Sequence, residues 1–68
     1  MNLGNNIKEL RTKNRMTQEK LAELLGTTSK SVSRWEQSIT YPDITLLPLI
    51  ASLFETTTDE LLGYKLSE

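Results

Sequence analysis

The stretch Thr17 to Glu36, TQEKLAELLGTTSKSVSRWE, restricts the fold of this chain more than any other. Its first half carries Leu21, Ala22, Leu24 and Leu25 at helical spacing, and these form the predicted buried side of a helix over Gln18 to Leu25. Thr17 is placed to cap that helix, Met16 to staple it from outside, and Glu19 lies favourably in the first turn. Gly26 then supplies the left-handed conformation that ends a helix without steric cost. Thr28 is the expected cap of the next helix, Ser29 to Gln37, whose apolar positions reduce to Val32 and Trp35. Two helices joined by so short a turn cross steeply and need a small side chain at the crossing, which Ala22 provides. Only a narrow stripe of the second helix is then buried. Trp35 shares that stripe and is assigned to the core, which leaves Ser29, Lys30, Ser33, Arg34 and Gln37 outside.

The flanking segments supply the rest of a core. Residues 3 to 14 read as a one-faced amphipathic helix, with Leu3, Ile7 and Leu10 on one side and Lys8, Glu9, Arg11 and Lys13 on the other. Tyr41-Pro42-Asp43 is a turn signal. Ile44 to Phe54 is the most apolar run, and Leu46, Leu47, Leu49, Ile50, Leu53 and Phe54 predict a central helix. Thr45 is its expected cap, which puts Pro48 in the first turn, where a missing N–H removes no helical bond. Thr57 followed by Glu60 forms a capping box for a short last helix that stops at Gly63. Tyr64 to Glu68 are expected to fray. No segment alternates like a strand, so the expected fold class is all-α, a compact five-helix bundle formed by residues 1–68 as a single domain. A chain of 68 residues buries only about 60% of its unfolded surface, so that core must be regular.

Several function classes fall away on composition. Cysteine and histidine are both absent, which excludes disulfides, thiol nucleophiles, the usual zinc ligands and the commonest general base. No catalytic constellation, metal site or cofactor is expected. The N-terminal MNLGNNIKEL lacks a basic segment followed by an apolar run, and no apolar stretch approaches the roughly 18 residues of a membrane span. The expected compartment is the cytoplasm. The formal net charge of −1 is low for a nucleic-acid partner, but it is unevenly spread. Residues 1 to 40 hold seven basic against four acidic side chains, a net +3, and residues 41 to 68 hold one against five, a net −4. Such a polarised molecule can present its positive end to phosphate.

Across nearly its whole length the chain resembles the Cro and repressor type of helix-turn-helix domain of phage repressors and bacterial regulators. The likeness is carried by Thr17-Gln18-Glu19 with Leu21-Ala22, by Gly26, by Ser31-Val32-Ser33-Arg34-Trp35-Glu36, by Pro42 and by Asp59-Glu60-Leu61-Leu62. It implies a lambda-repressor-like fold with the helix-turn-helix at about residues 17–37. It also implies sequence-specific binding of double-stranded DNA by a homodimer on a palindromic operator, for transcriptional regulation and in particular repression. The third helix would enter the major groove and the second would lie across the backbone. The family's base-contacting positions fall on Ser29, Lys30 and Arg34, with Ser33 beside them. Arg and Lys can address guanine O6 and N7, whereas a serine hydroxyl discriminates little. Gln18 matches a phosphate-gripping position, with Thr17, Thr28, Ser38 and Thr40 as further phosphate candidates. Arg11 and Glu36 match a structural ion pair between the first helix and the end of the third.

Two departures from the family pattern predict local differences. Gln37-Ser38 stands where Asn-Gly usually closes the third helix, which predicts a wider or differently hydrogen-bonded turn. Glu55 stands where a glycine commonly ends the fourth helix, a mildly unfavourable site for a carboxylate. The competing reading keeps the fold and makes it a protein-interaction module, an antitoxin or anti-repressor component, docking through the apolar fourth helix. Leu49, Phe54, Tyr64 and Leu66 are the candidate surface for a dimer.

Overall fold

The computed structural model describes residues 2–63. Tyr64 to Glu68, expected to fray, lie outside the described residues, and with them the dimer-surface candidates Tyr64 and Leu66. Five α-helices follow in order: α1 (Leu3–Lys13), α2 (Gln18–Leu25), α3 (Ser29–Glu36), α4 (Leu47–Leu53) and α5 (Thr58–Leu62). Among the described residues there is no strand, and no helix is long and apolar enough to cross a membrane.

Local chemistry sets most helix starts. The hydroxyls of Thr17, Thr28 and Thr57 accept from the N–H groups of Lys20, Ser31 and Glu60 at 3.0, 3.1 and 3.0 Å, so each expected cap is in place. The Glu60 carboxylate accepts the Thr56 hydroxyl at 2.8 Å. Thr45 is not a cap. A 3-10 turn over Ile44–Leu46, closed by the Leu46 N–H on the Asp43 carbonyl at 2.8 Å, comes first, and α4 starts only at Leu47. The Thr45 hydroxyl instead donates to the Asp43 carboxylate. Pro48 still falls in the first turn of α4, where it removes no helical bond.

Helix ends share one device. Arg15, Gly26, Ser38, Glu55 and Gly63 follow the five helices in the left-handed region, at φ +55, +71, +61, +54 and +74°. After α1, α2, α3 and α4 the next residue closes back on the helix: Met16 N–H to Arg11 O at 3.0 Å, Thr27 to Ala22 at 2.9 Å, Ile39 to Arg34 at 2.9 Å and Thr56 to Ala51 at 2.8 Å. The turn after α3 is therefore not widened by Gln37-Ser38. Ser38 adopts the glycine-like conformation and donates its N–H to Trp35 O at 3.0 Å. α3 itself ends at Glu36, with Gln37 as C-cap.

The core is built from Leu3, Ile7, Leu21, Ala22, Leu25, Val32, Trp35, Ile50, Ala51 and Leu61. Full burial of side chains such as Ile7, Leu21 and Ile50 contributes about 1.5–3 kcal/mol each, set against the entropy of ordering the chain. Two expected core residues are outside it: Leu24 is 43% and Leu49 48% exposed. α4 is correspondingly less enclosed than its composition implies. Only Ile50 and Ala51 are buried on it, because its seven residues meet the bundle on one face. α2 packs on α3, and α1 packs on α3 and α5. The α1–α3 approach is very close at Gly4, where an added Cβ would lie 2.1 Å from the Trp35 carbonyl oxygen. Only a residue without a side chain fits there.

Candidate nucleic-acid interface

The solvent face of α3 is set by what the opposite face buries. Val32 and Trp35 are 0% and 5% exposed and point into the core. At about 100° per residue, Lys30, Ser33, Arg34 and Gln37 then fall opposite them. Lys30 and Arg34 are exposed, with no side-chain hydrogen bond or ion pair among the described residues, while Ser29 and Ser33 are half-buried. Three of the four candidate base-contacting residues, Lys30, Ser33 and Arg34, thus share one polar surface, two of them as uncommitted cations, while Ser29 lies on its flank.

The foot of this helix is held by one carboxylate. Glu36 Oε2 accepts from Arg11 Nε at 2.6 Å, and its Oε1 accepts from Arg11 Nη2 at 3.1 Å and from Gln18 Nε2 at 3.0 Å. Arg11 Nη1 also donates to the Met16 carbonyl at 2.8 Å. The expected Arg11–Glu36 pair is therefore present, and it extends to Gln18, tying α1, α2 and α3 at one point. With side chains only 12% and 3% exposed, the pair is little screened by solvent, and its fork-like geometry orients both partners.

The phosphate candidates separate by what their polar atoms already do. Gln18 is half-buried, and its amide nitrogen spends one donor on Glu36, which leaves a second N–H. Thr17 accepts a backbone N–H with its hydroxyl oxygen and keeps its proton. Thr28 is engaged on both sides, accepting from the Ser31 N–H and donating to Ser31 Oγ at 3.0 Å. Ser38 and Thr40 are exposed in the segment after α3, beside Ile39 and Tyr41, which are 62% and 60% exposed. Sequence reasoning missed the bond from Gln18 to Glu36 and the role of Gln37, whose side chain bonds back to Ser33 one turn earlier. The i, i+4 spacing of Ser33 and Gln37 was the available signal for the latter.

The charge is unevenly divided between the two parts of the fold. Lys8, Arg11, Lys13, Arg15, Lys20, Lys30 and Arg34 outnumber Glu9, Glu19, Glu23 and Glu36 on α1, α2, α3 and their connections, whereas the charges described from the turn before α4 onward, Asp43, Glu55, Asp59 and Glu60, are all acidic. Among the described residues no cluster of acidic side chains could hold a metal ion.

Comparison with known proteins agrees with this geometry. Residues 7–61 match the family model described as Helix-turn-helix. Over 63 residues the chain is 39% identical to the HTH-type transcriptional activator BcrR of Enterococcus faecalis, covering 93% of this chain and 31% of that protein. It is 38% and 36% identical to the HTH-type transcriptional regulators AnsR and ImmR of Bacillus subtilis (strain 168), covering 93% of this chain and 53% and 50% of theirs. The chain thus spans between about a third and a half of the length of these curated relatives. Among solved structures, it superposes on the P22 c2 repressor in complex with a synthetic operator, with TM-score 0.82, 26% identity, and 90% and 92% of the two chains covered. A transcriptional regulator from Listeria innocua gives TM-score 0.90 at 29% identity, covering 97% of this chain and 62% of that one. With its five helices, its capped α2–Gly26–α3 turn and a family match over most of its length, the chain belongs to the Cro/repressor-type helix-turn-helix family.

Proposed function

We propose that this chain is the sequence-specific double-stranded DNA-binding part of a transcriptional regulator, with α3 laid into the major groove and α2 across the backbone. The observation that carries this reading is the division of labour on α3. Glu36, Val32 and Trp35 fix the helix, while Lys30 and Arg34 project from it without a side-chain partner among the described residues. Lys30 and Arg34 address guanine edges, Ser29 and Ser33 make shorter contacts, and Thr17, Gln18, Ser38 and Thr40 grip phosphates, with Thr28 acting chiefly as a cap. The P22 c2 neighbour is a repressor bound to an operator, which supports repression. BcrR is by name an activator, so the fold serves either sign of control. The regulator acts in the cytoplasm, where its DNA is, and it is not an enzyme.

A homodimer on a palindromic operator follows from the size of the reading surface, since one module of this kind covers only about 600–1,000 Å². Exposed Leu49 and Ile44, with the half-buried Phe54, supply apolar surface on the α4 side. Sedimentation of the free chain and of its complex with a palindromic duplex tests this; a monomer in both states counts against it.

The main test is selection of bound duplexes from a random pool, followed by binding measurements on matched and scrambled sites. Lys30→Ala and Arg34→Ala are expected to relax discrimination at particular base pairs by about 1–3 kcal/mol, and Gln18→Ala to weaken all sequences alike. Even losses on both kinds of DNA for all three variants would refute the base-reading assignment. A second reading, a protein-docking module, is favoured by the shallow apolar groove lined by Ile44, Leu47, Pro48, Thr58 and Leu62. Absence of any steeply salt-dependent binding to genomic fragments would select it.

A further inference from the structure

We propose that the cleft between the ends of α1 and α4 binds a free α-amino acid with an apolar side chain. The cleft has a volume of about 340 Å³, with Leu10, Lys13 and Asn14 on one wall and Leu53, Phe54 and Glu55 on the other. That volume lies near the lower end of small-molecule sites, about 300–1,000 Å³, and suits one small ligand better than a length of polypeptide. The cleft shares no residue with the outward face of α3 and needs no DNA to be filled.

Its chemistry is mixed in a specific way. Leu10, Leu53 and Phe54 are half-buried and packed against the core, and they supply apolar surface. α1 ends at Lys13 and α4 at Leu53, so the negative ends of two helices border the cleft. Asn14 Nδ2 donates to the Leu10 carbonyl at 2.7 Å, which leaves Asn14 Oδ1 without a donor among the described residues. With the Glu55 carboxylate, these groups call for an ammonium. Lys13 has the opposite sign, and neither it nor Glu55 is in a side-chain hydrogen bond or ion pair among the described residues. A simple anion would confront Glu55 and two helix ends, and a simple cation would confront Lys13. A molecule with both charges on one carbon satisfies each wall: its ammonium meets Glu55 and Asn14 Oδ1, its carboxylate meets Lys13, and its apolar side chain covers Leu10, Leu53 and Phe54.

Glu55 points the same way on separate grounds. At φ +54° and at the negative end of α4, a carboxylate there is disfavoured twice over for folding alone. Residues that break local rules in this manner concentrate at functional sites, and a bound ammonium would offset the repulsion.

The experiment records amide proton–nitrogen correlation spectra and thermal midpoints of the chain with L-leucine at millimolar concentration. Beside it stand isocaproate, which lacks the ammonium, isoamylamine, which lacks the carboxylate, and glycine, which lacks the apolar side chain. L-leucine is expected to shift the amides of residues 10–14 and 53–55 saturably and to raise the midpoint, because a ligand of the folded state stabilises it. Each analogue should bind about tenfold more weakly or worse. Lys13 and Glu55 are exposed, so K13Q and E55Q leave the core untouched, and each should lower L-leucine affinity about tenfold. K13Q should also weaken isocaproate but not isoamylamine, and E55Q the reverse, a crossed pattern that general damage to the fold would not give. Unshifted amides, glycine binding as well as L-leucine, or variants that bind like the wild type overturn the proposal. So does a shift of the same amides on dilution of the free chain, which would mean that a second copy covers the cleft.

Discussion

Replacing Glu55 by glycine should stabilise this protein. Glu55 follows α4 at φ +54°, with its N–H on the Ser52 carbonyl at 3.1 Å, so the backbone there has a conformation that glycine adopts freely and other residues resist. A left-handed L-residue costs about 1–2 kcal/mol. Glycine returns about 0.5–1 kcal/mol of that through the greater freedom of the unfolded chain. The exposed carboxylate, in no hydrogen bond or ion pair among the described residues, also faces the negative end of α4. That contact is unfavourable by about 0.3–1 kcal/mol. The net expectation for Glu55→Gly is a gain of about 1 kcal/mol, or about 4–8 °C in the thermal midpoint of a domain this size. Thermal and urea unfolding of Glu55→Gly beside Glu55→Gln separates the two contributions, because glutamine removes the charge and keeps the backbone. The Gln gain should be a few tenths of a kcal/mol at low ionic strength and vanish near 1 M salt, where the Debye length is about 3 Å. A glycine variant no more stable than the glutamine one would refute the backbone argument.

Other substitutions probe other joints. Gly4→Ala puts a Cβ against the Trp35 carbonyl oxygen and should cost about 3 kcal/mol or more, read by unfolding with the single tryptophan as fluorophore. Wild-type stability in that variant would mean that α1 and α3 are further apart than described. Glu36→Ala strands the largely buried Arg11 and should lose about 3 kcal/mol. Combining it with Arg11→Ala should cost less than the two single losses added together, whereas full additivity would deny the pairing. Thr28→Ala removes the N-cap of α3 and should cost about 1 kcal/mol in urea unfolding; a neutral result would show the cap to be dispensable.

What could be read in the chain beforehand was whatever depends on neighbours in sequence. Thr17, Thr28 and Thr57 cap because a short hydroxyl side chain precedes a helical pattern, and Gly26 and Gly63 end helices because no Cβ opposes them. The stripe of Val32 and Trp35 was legible for the same reason, and with it the outward face of Lys30 and Arg34. The start of α4 was not, because Asp43 and Thr45 both resemble caps and the 3-10 turn between them satisfies the Leu46 N–H through the backbone. Leu24 was misjudged, and Leu49 was counted both toward a central helix and as candidate surface, because composition reveals an apolar residue but not whether a partner helix reaches it. Gly4 carries no local signal at all, since its necessity arises only where α1 meets the end of α3. At the candidate interface, residue types indicated which atoms could bond; only the fold decides that Gln18 serves Glu36 and that Gln37 serves Ser33.

The convergence of Arg11, Gln18 and Glu36 bears on how such a protein can change over time. Frame and lettering are separate here. A substitution at Lys30 or Arg34 breaks no side-chain bond of the described structure, so it carries little loss of stability, and under the proposed function it alters the preferred target. A substitution at Glu36 unseats three helices at once and is tolerated only with compensation elsewhere. On the proposed DNA-binding function, descendants of this chain are thus free to acquire new operators through a few exposed positions on α3 while the helix keeps its angle to the bundle.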